Sequence, residues 1–273
     1  MIQGRPDMDR MFANGIDIAY RFDEPSKAIA GPPCVMLCNG IMSNFSMWDQ
    51  QVPALTDRYR VLRFDNRGHG GTQLTPPPYS METLAADACN LLDALGINRV
   101  HFVGASLGGM VGQLFAIKYP DRLQSLAFLG TLSVMGPDDM WNKRFAAARA
   151  DGLVALMPAM KERWFTPGFR QRHADIVSDV VANVTATAVD GYIGCGSAIR
   201  DMDQTDILKD IKAPTLVMAG DEDPGVPLSE TAMIHESIPG AEKVVIEGTR
   251  HLFGIEKPEE TNRALREFLD RHV

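Results

Sequence analysis

The chain has little of what marks membrane-spanning, disulfide-stapled or nucleic-acid-binding proteins. No apolar run approaches the roughly 18 residues needed to cross a bilayer, and residues 1–10 lack the apolar core of a secretory signal. Four cysteines are too few and too scattered for a disulfide scaffold. A net charge of −8 provides no basic excess for nucleic acid or an anionic membrane. We therefore expect a cytoplasmic protein with neither kind of partner.

Motifs for bound cofactors are missing as well. The sequence has no His-Glu-x-x-His, no paired Cys-x-x-Cys, no Gly-x-Gly-x-x-Gly and no P-loop. We therefore predict activity without a metal, a nucleotide or another cofactor. The cysteines at 34, 38, 89 and 195 are interpreted as small buried hydrophobes. The pattern carries no signal for the oligomeric state.

What the chain does have is a regular alternation of strand and helix patterns. Asn14-Gly15, between alternating apolar residues, predicts a hairpin over 11–20. Short apolar runs predict strands near 33–38, 60–65, 99–104, 123–129, 214–219 and 242–247. Helical spacing predicts helices near 47–57, 80–96, 107–119, 227–237 and 258–271. This alternation favours an α/β fold with a parallel sheet covered on both faces.

One stretch interrupts the alternation. Residues 135–205 contain no convincing strand and show helix-like spacing over 138–150, 152–165 and 171–187. We interpret 135–205 as a helical cap over the carboxyl edge of the sheet, and 1–134 with 206–273 as the core. A peripheral helical decoration is the alternative.

Gly104-Ala-Ser106-Leu-Gly108 lies between a predicted strand and a predicted helix. A Gly-x-Ser-x-Gly string in that position is typical of a nucleophile elbow, in which the serine occupies a sharp turn. Side chains two positions either side of the serine would collide, and glycine removes the clash. Ser106 is therefore the candidate nucleophile.

A serine hydroxyl needs a base to take its proton, and in this elbow type the acid and then the histidine follow the serine in the chain. Of the histidines after Ser106, His272 is at the terminus, and His173 and His235 lie within helical patterns. His251 follows the last predicted strand and should open at the same sheet edge as the elbow. We expect His251 to be the base.

The acid has two main candidates. Asp221 and Asp223 both follow the strand at 214–219, where a carboxylate could orient the imidazole. Asp223 is favoured because Pro224 fixes the turn after it, whereas Asp221 is better suited to closing the turn. Asp138 or Asp139, after an earlier strand, remains a further alternative.

An acyl-transfer site also needs donors for an oxyanion. The N–H of Leu107, directly after the nucleophile, is one candidate. The second is the N–H of Ile41, in a loop where Asn39-Gly40 is also compatible with a plain turn. The polar string 65–70 is interpreted as a structural loop, with Arg67 pairing a carboxylate. Trp141 and Trp164 are equally compatible with pocket lining and with packing.

Five further strings are informative together: Phe45-Ser-Met-Trp-Asp49, 60–70, Arg163-Trp-Phe-Thr166, 195–201 and 213–220. They resemble segments of the 3-oxoadipate enol-lactonases, and the chain as a whole resembles the α/β-hydrolase superfamily. The resemblance implies cofactor-free hydrolysis of a lactone in aromatic catabolism, with Ser106 as nucleophile, Asp223 as acid and His251 as base. Two segments depart from the lactonases, Cys38-Asn-Gly-Ile41 and Leu252-Phe-Gly-Ile-Glu256, so the substrate can differ.

The combined prediction is a serine hydrolase acting on a small ester or lactone. A lactone with a carboxylate would need a cationic partner, for which Arg200 is the first candidate and Arg163 the second. Carboxylesterases, hydrolases of C–C bonds in ring-cleavage products and perhydrolases share the same triad. A non-catalytic ligand-binding receptor with the same fold is the alternative of another class.

Overall fold

An eight-stranded sheet forms the centre of the computed structural model, which describes residues 8–27, 30–136 and 138–273. The strands are β1 (Asp9–Ala13), β2 (Ile16–Asp23), β3 (Cys34–Cys38), β4 (Arg60–Phe64), β5 (Val100–Ala105), β6 (Leu123–Leu129), β7 (Thr215–Gly220) and β8 (Glu242–Ile246). Their order across the sheet is β1-β2-β4-β3-β5-β6-β7-β8. Only β2 runs against its neighbours, so β3 to β8 end at one edge. The predicted hairpin and mostly parallel sheet are confirmed.

Helices cover both faces of this sheet. They are α1 (Val52–Leu55), α2 (Met81–Ala94), α3 (Leu107–Lys118), α4 (Asp138–Asp151), α5 (Met157–Trp164), α6 (Pro167–Arg172), α7 (Ala174–Thr185), α8 (Val189–Arg200), α9 (Leu228–Ser237), α10 (Phe253–Glu256) and α11 (Pro258–Asp270). Alternate side chains of a strand point to opposite faces, so Met36 packs in one core with α2 and α3. Val35 and Leu37 pack in the other core with α11. The α/β fold class is thereby confirmed.

The helices α4 to α8 all lie between β6 and β7. The two ends of this segment lie side by side, because Val134 and Asp203 form an isolated antiparallel bridge. The Gln204 N–H also donates to the Ser133 carbonyl at 2.8 Å. We call residues 138–200 the helical insert. The division into a core and a cap over 135–205 stays a prediction.

Two predicted helices are interrupted. The spacing over 47–57 predicted one helix, but the structure has a 3₁₀ turn, Phe45–Trp48, followed by α1. Pro53 has no N–H to donate to the Asp49 carbonyl, so a continuous helical ladder cannot pass through it. The helix predicted over 171–187 is divided at His173, whose backbone leaves the helical region between α6 and α7.

The described residues bear on only part of two predicted absences, that of a membrane-spanning helix and that of a secretory signal. Within them, no helix combines the length and the apolar character needed to cross a bilayer. The stretch 1–7, which carries most of the argument against a secretory signal, lies outside them. The four cysteines are buried and free, as predicted.

Candidate active site

Ser106 occupies a strained turn between β5 and α3. Its backbone has φ +50° and ψ −111°, a conformation rarely adopted by a residue with a side chain. A Cβ on Gly104 would lie 2.2 Å from the Gly108 carbonyl oxygen, and one on Gly108 would lie 2.1 Å from that of Cys38. The two glycines therefore allow the helix to start directly against the strands, with Ser106 at the tip.

His251 and Asp223 are joined by a short hydrogen bond. His251 lies in the turn after β8, and its Nδ1 is 2.6 Å from Asp223 Oδ2 in the turn after β7. The other Asp223 oxygen accepts the Gly225 N–H at 2.7 Å. Burial opposes ionisation of Asp223, but the charge and hydrogen bond of His251, the Gly225 N–H and the charge of Arg163 together hold the pKa of Asp223 below its ordinary value. The pair can therefore orient and stabilise a charged imidazole.

The other acid candidates lie elsewhere. Asp221 is exposed and accepts the Thr249 N–H at 3.2 Å, which joins the turns after β7 and β8. Asp139 is exposed in the first turn of α4, and the side chain of Asp138 lies outside the described part of the chain.

The remaining histidine candidates are also placed away from Asp223. The His173 ring packs against Phe169 with ring centres 4.6 Å apart. The His272 ring packs against Phe268 at 4.8 Å. His235 lies in the last turn of α9.

Two backbone N–H groups near Ser106 have no acceptor among the described residues, those of Leu107 and Ile41. Leu107 is the first residue of α3, where a helix leaves its N–H groups without an internal partner. On either side of Ile41, the Gly40 N–H donates to Met47 Sδ at 3.3 Å and the Met42 N–H donates to His69 Nε2 at 3.0 Å. An added Cβ on Gly40 would lie 3.6 Å from the Ser106 Cβ, so this loop passes directly beside the serine.

The polar string 65–70 forms the buried support of that loop. Asp65 accepts the N–H groups of Phe45 and Gly71 at 2.7 and 2.8 Å. Burial raises the pKa of Asp65 to about 6, although these donors oppose the shift. Arg67 donates twice to Asp87, at 2.9 and 2.6 Å, as a bidentate pair.

Ser106 and His251 line a small cavity, about 40 Å³, between the sheet edge and the helical insert. Trp141, Trp164 and Arg163 from the insert line it as well, together with Ile41. Its other lining residues are Met42, Met110, Leu132, Met135, Arg144, Met160, Tyr192, Ile199 and Val226. The lining is thus mainly apolar, with the Ser106 hydroxyl, the His251 imidazole and two guanidinium groups.

The guanidinium of Arg163 is held against the turn that carries Asp223. An added Cβ on Gly225 would lie 2.0 Å from Arg163 Nε. That Nε is buried and has no hydrogen-bond partner in the described structure. Burial lowers the pKa of Arg163, and the Asp223 carboxylate opposes this shift. A half-buried arginine whose buried Nε has no hydrogen-bond partner makes this wall of the cavity suited to an anion.

Arg200 does not reach this cavity. It lines a second, more open cavity of about 310 Å³ with residues such as Phe145 and Arg149, and neither Ser106 nor His251 takes part in it. Its guanidinium donates to the adjacent Asp201 at 2.6 and 2.9 Å and to Asn142 at 3.2 Å. Of the two arginines that the sequence suggested as partners for a carboxylate, Arg163 lines the cavity of Ser106 and Arg200 lines the other one.

Arg144 and His69 are among the residues of the site that were not found from the sequence. Arg144 lies three positions after Trp141, and residues at that spacing share a helix face, so the tryptophan could have signalled it. His69 was assigned only to a structural loop, although it contacts the loop that carries Ile41. Among the described residues, no group of three or more His, Cys, Asp or Glu is placed to share a metal ion.

Comparisons with known proteins agree over most of the chain. A family model described as the alpha/beta hydrolase fold matches residues 33–258. A 3-oxoadipate enol-lactonase of Acinetobacter baylyi is 32% identical over 242 residues, 89% of this chain and 90% of that protein. A solved hydrolase from Pseudomonas aeruginosa is 36% identical, with a TM-score of 0.91 over 97% of this chain and 99% of the other. The solved enol-lactonase of Burkholderia xenovorans is 31% identical, with a TM-score of 0.92 over 96% and 100%. The resemblance stated from the sequence is confirmed.

Proposed function

Because the chain belongs to the α/β-hydrolase family, we propose that it is a serine hydrolase that cleaves a small ester or lactone through an acyl-enzyme. The observation that carries the proposal is the 2.6 Å bond between His251 and Asp223, with His251 lining the same cavity as the strained Ser106. A hydroxyl at a sharp bend, beside an oriented imidazole, is the arrangement that nucleophilic acyl transfer requires.

In the proposed reaction, Ser106 Oγ attacks the carbonyl carbon while His251 Nε2 takes the hydroxyl proton. Asp223 accepts the Nδ1 hydrogen and stabilises the imidazolium that forms. The N–H groups of Leu107 and Ile41 bind the oxyanion, and each contributes on the order of 3 kcal/mol to the transition state. The imidazolium protonates the leaving oxygen as its bond to the carbonyl carbon breaks, which leaves the acyl group on Ser106 Oγ. His251 Nε2 then takes a proton from a water molecule whose oxygen attacks the acyl carbon. The imidazolium gives that proton to Ser106 Oγ as the acyl–Oγ bond breaks, which releases the acid product.

The cavity favours a substrate that carries a carboxylate. Arg163 and Arg144 line the cavity in a chain whose net charge is −8. Arg163 has no ion pair or hydrogen bond within the described residues, so it is available to a bound anion. The enol-lactonase relatives point in the same direction. An enol-lactone of aromatic catabolism is therefore the proposed substrate type, in a cytoplasmic setting.

The test is Ser106→Ala, assayed on enol-lactones, simple lactones, aryl esters and ring-cleavage diketones. The variant should fold as the parent does and lose turnover by at least about 1000-fold, because the acyl-enzyme can no longer form. A fluorophosphonate should label the parent stoichiometrically and leave Ser106→Ala unlabelled.

Wild-type turnover in Ser106→Ala would contradict the mechanism. A parent that is neither labelled nor active on any member of the panel would instead favour a ligand-binding receptor. Preference for the diketones would favour the C–C hydrolase alternative, and peracid formation from acetate and peroxide would favour a perhydrolase.

A further inference from the structure

Side chains hold the peptide groups around Ile41 on both sides. Asn66 Nδ2 donates to the Asn39 carbonyl at 2.9 Å, and Ser43 Oγ donates to the Gly40 carbonyl at 2.9 Å. The Met42 N–H donates to His69 Nε2 at 3.0 Å. Since the Gly40 carbonyl and the Ile41 N–H belong to the same peptide group, the direction of that N–H is fixed by these bonds.

His69 can accept this hydrogen bond only as a neutral imidazole. The Met42 N–H is a donor, so Nε2 carries the lone pair and Nδ1 carries the hydrogen, which it donates to the Arg67 carbonyl at 3.1 Å. The ring is 1% exposed, and burial lowers its pKa to about 4, so it stays uncharged at neutral pH. The bidentate pair between Arg67 and Asp87 fixes the backbone that anchors the ring.

The loop needs this restraint because its backbone is strained. Met42 has φ +65°, in the left-handed region that an unbranched residue occupies at a cost. Without an acceptor, the buried Met42 N–H would be unsatisfied, and the loop would relax by rotating the peptide groups beside it. Rotation there changes the direction of the Ile41 N–H, in a loop that passes beside Ser106.

We propose that His69 is a positioning residue that acts through the Met42 N–H to hold the Ile41 N–H in the direction an oxyanion requires. The inference rests on the proposed function and extends it to a side chain that has no place in the triad. His69 stabilises the transition state through this N–H, because only there does the substrate oxygen carry the negative charge to which the Ile41 N–H donates.

The test compares His69→Leu, which removes the acceptor, with His69→Gln, whose Oε1 can replace Nε2. His69→Leu should lower kcat by about 30-fold, with KM within about twofold, because one oxyanion donor is misdirected rather than removed. Affinity for a boronic acid that mimics the tetrahedral intermediate should fall in parallel, while affinity for the carboxylate product stays unchanged. His69→Gln should recover most of the lost kcat.

Two further variants make the test decisive. Ser43→Ala removes the bond to the Gly40 carbonyl from a half-buried position, so it gives the same kinetic signature even where His69→Leu does not fold. His101→Leu is the matched control, because His101 is equally buried and bonds Ser125 far from the site; it should lower stability and leave kcat unchanged.

The inference is overturned if folded His69→Leu or Ser43→Ala keeps the parent kcat while Ser106→Ala is inactive. It is also overturned if product and boronic acid lose affinity equally, or if His101→Leu loses as much kcat as His69→Leu. Turnover that survives in Ser106→Ala overturns the proposed function and this inference together.

Discussion

Arg163 lies against the turn of Asp223 and also lines the cavity of Ser106, so one side chain connects the bonded Asp223–His251 pair with the cavity. Its buried Nε has no partner, whereas the guanidinium of Arg200 donates to Asp201 and Asn142. The difference between these two arginines can be measured, since the sequence resemblance offered both as partners for a carboxylate.

Arg163→Met should raise KM for a carboxylate-bearing lactone by about 10- to 100-fold, since a charge-assisted hydrogen bond contributes about 1.5–3 kcal/mol. KM for a neutral lactone of the same ring size should change by less than about threefold. Arg200→Met is the matched control and should leave both values unchanged. Equal increases for the two lactones, or a larger effect of Arg200→Met, would contradict the assignment.

Individual residues also show how far sequence reasoning reaches. Ser106 and His251 were selected from their places after predicted strands, and the structure puts both on one cavity. The preference for Asp223 over Asp221 agrees with the hydrogen bonds, because Asp223 bonds the imidazole and Asp221 bonds the Thr249 backbone. The choice between Arg163 and Arg200 was not accessible, since it depends on how separate helices pack, and no local spacing encodes that.

At the scale of elements, the elbow requires contact between α3 and β3. The Gly108 Cα faces the Cys38 carbonyl at the end of β3, where an added Cβ would lie 2.1 Å from the oxygen. Backbone cannot move aside as the end of a flexible side chain can. The start of the helix would have to shift, and Ser106 would shift with it.

Gly108→Ala should therefore lower the free energy of unfolding by about 2 kcal/mol or more and reduce kcat, because the clash is with backbone in a packed core. Urea unfolding followed by circular dichroism measures the first effect. Gly136→Ala is the control, since no atom of the described residues other than its chain neighbours lies within 4 Å of its added Cβ, and it should change stability by less than about 0.5 kcal/mol. Parent-like stability of Gly108→Ala would contradict the explanation of the elbow.

The sheet strands were predictable, whereas α8 was not. Strands β3, β5 and β7 are buried along their whole length and appear in the sequence as short apolar runs. Helix α8 contains three glycines and is buried on nearly every side, so it has neither a high helix propensity nor an apolar stripe. Its Gly191 would place an added Cβ 2.0 Å from the Gly68 carbonyl, which shows that tertiary packing determines the composition there.

At the scale of the whole molecule, two buried histidines make stability depend on pH. Burial lowers the pKa of His69 and of His101 to about 4, while an unfolded histidine titrates near pH 6.5. As pH falls below 6.5, these two histidines bind protons in the unfolded chain but not in the folded chain. The free energy of unfolding therefore decreases until the pH reaches the folded pKa. Asp65, with its pKa raised to about 6, and Asp87, whose pKa burial also raises, act in the opposite direction.

The contribution of one histidine can be isolated with His101→Gln. Between pH 6 and 4.5, the parent should lose about 1.1 kcal/mol of unfolding free energy per pH unit more than this variant, since about 0.8 proton fewer is taken up on unfolding of the variant. Urea titrations at several pH values measure the difference. Parallel stability curves for the two proteins would contradict a neutral, buried His101.

The chain enters and leaves the stretch of helices after β6 at points joined by a backbone hydrogen bond between Gln204 and Ser133. A stretch of another length could therefore be spliced in between these two points without altering the register of any strand. Exchanging the helical insert would therefore replace part of the lining of the cavity at Ser106 and leave in place the sheet edge that carries Ser106 and His251.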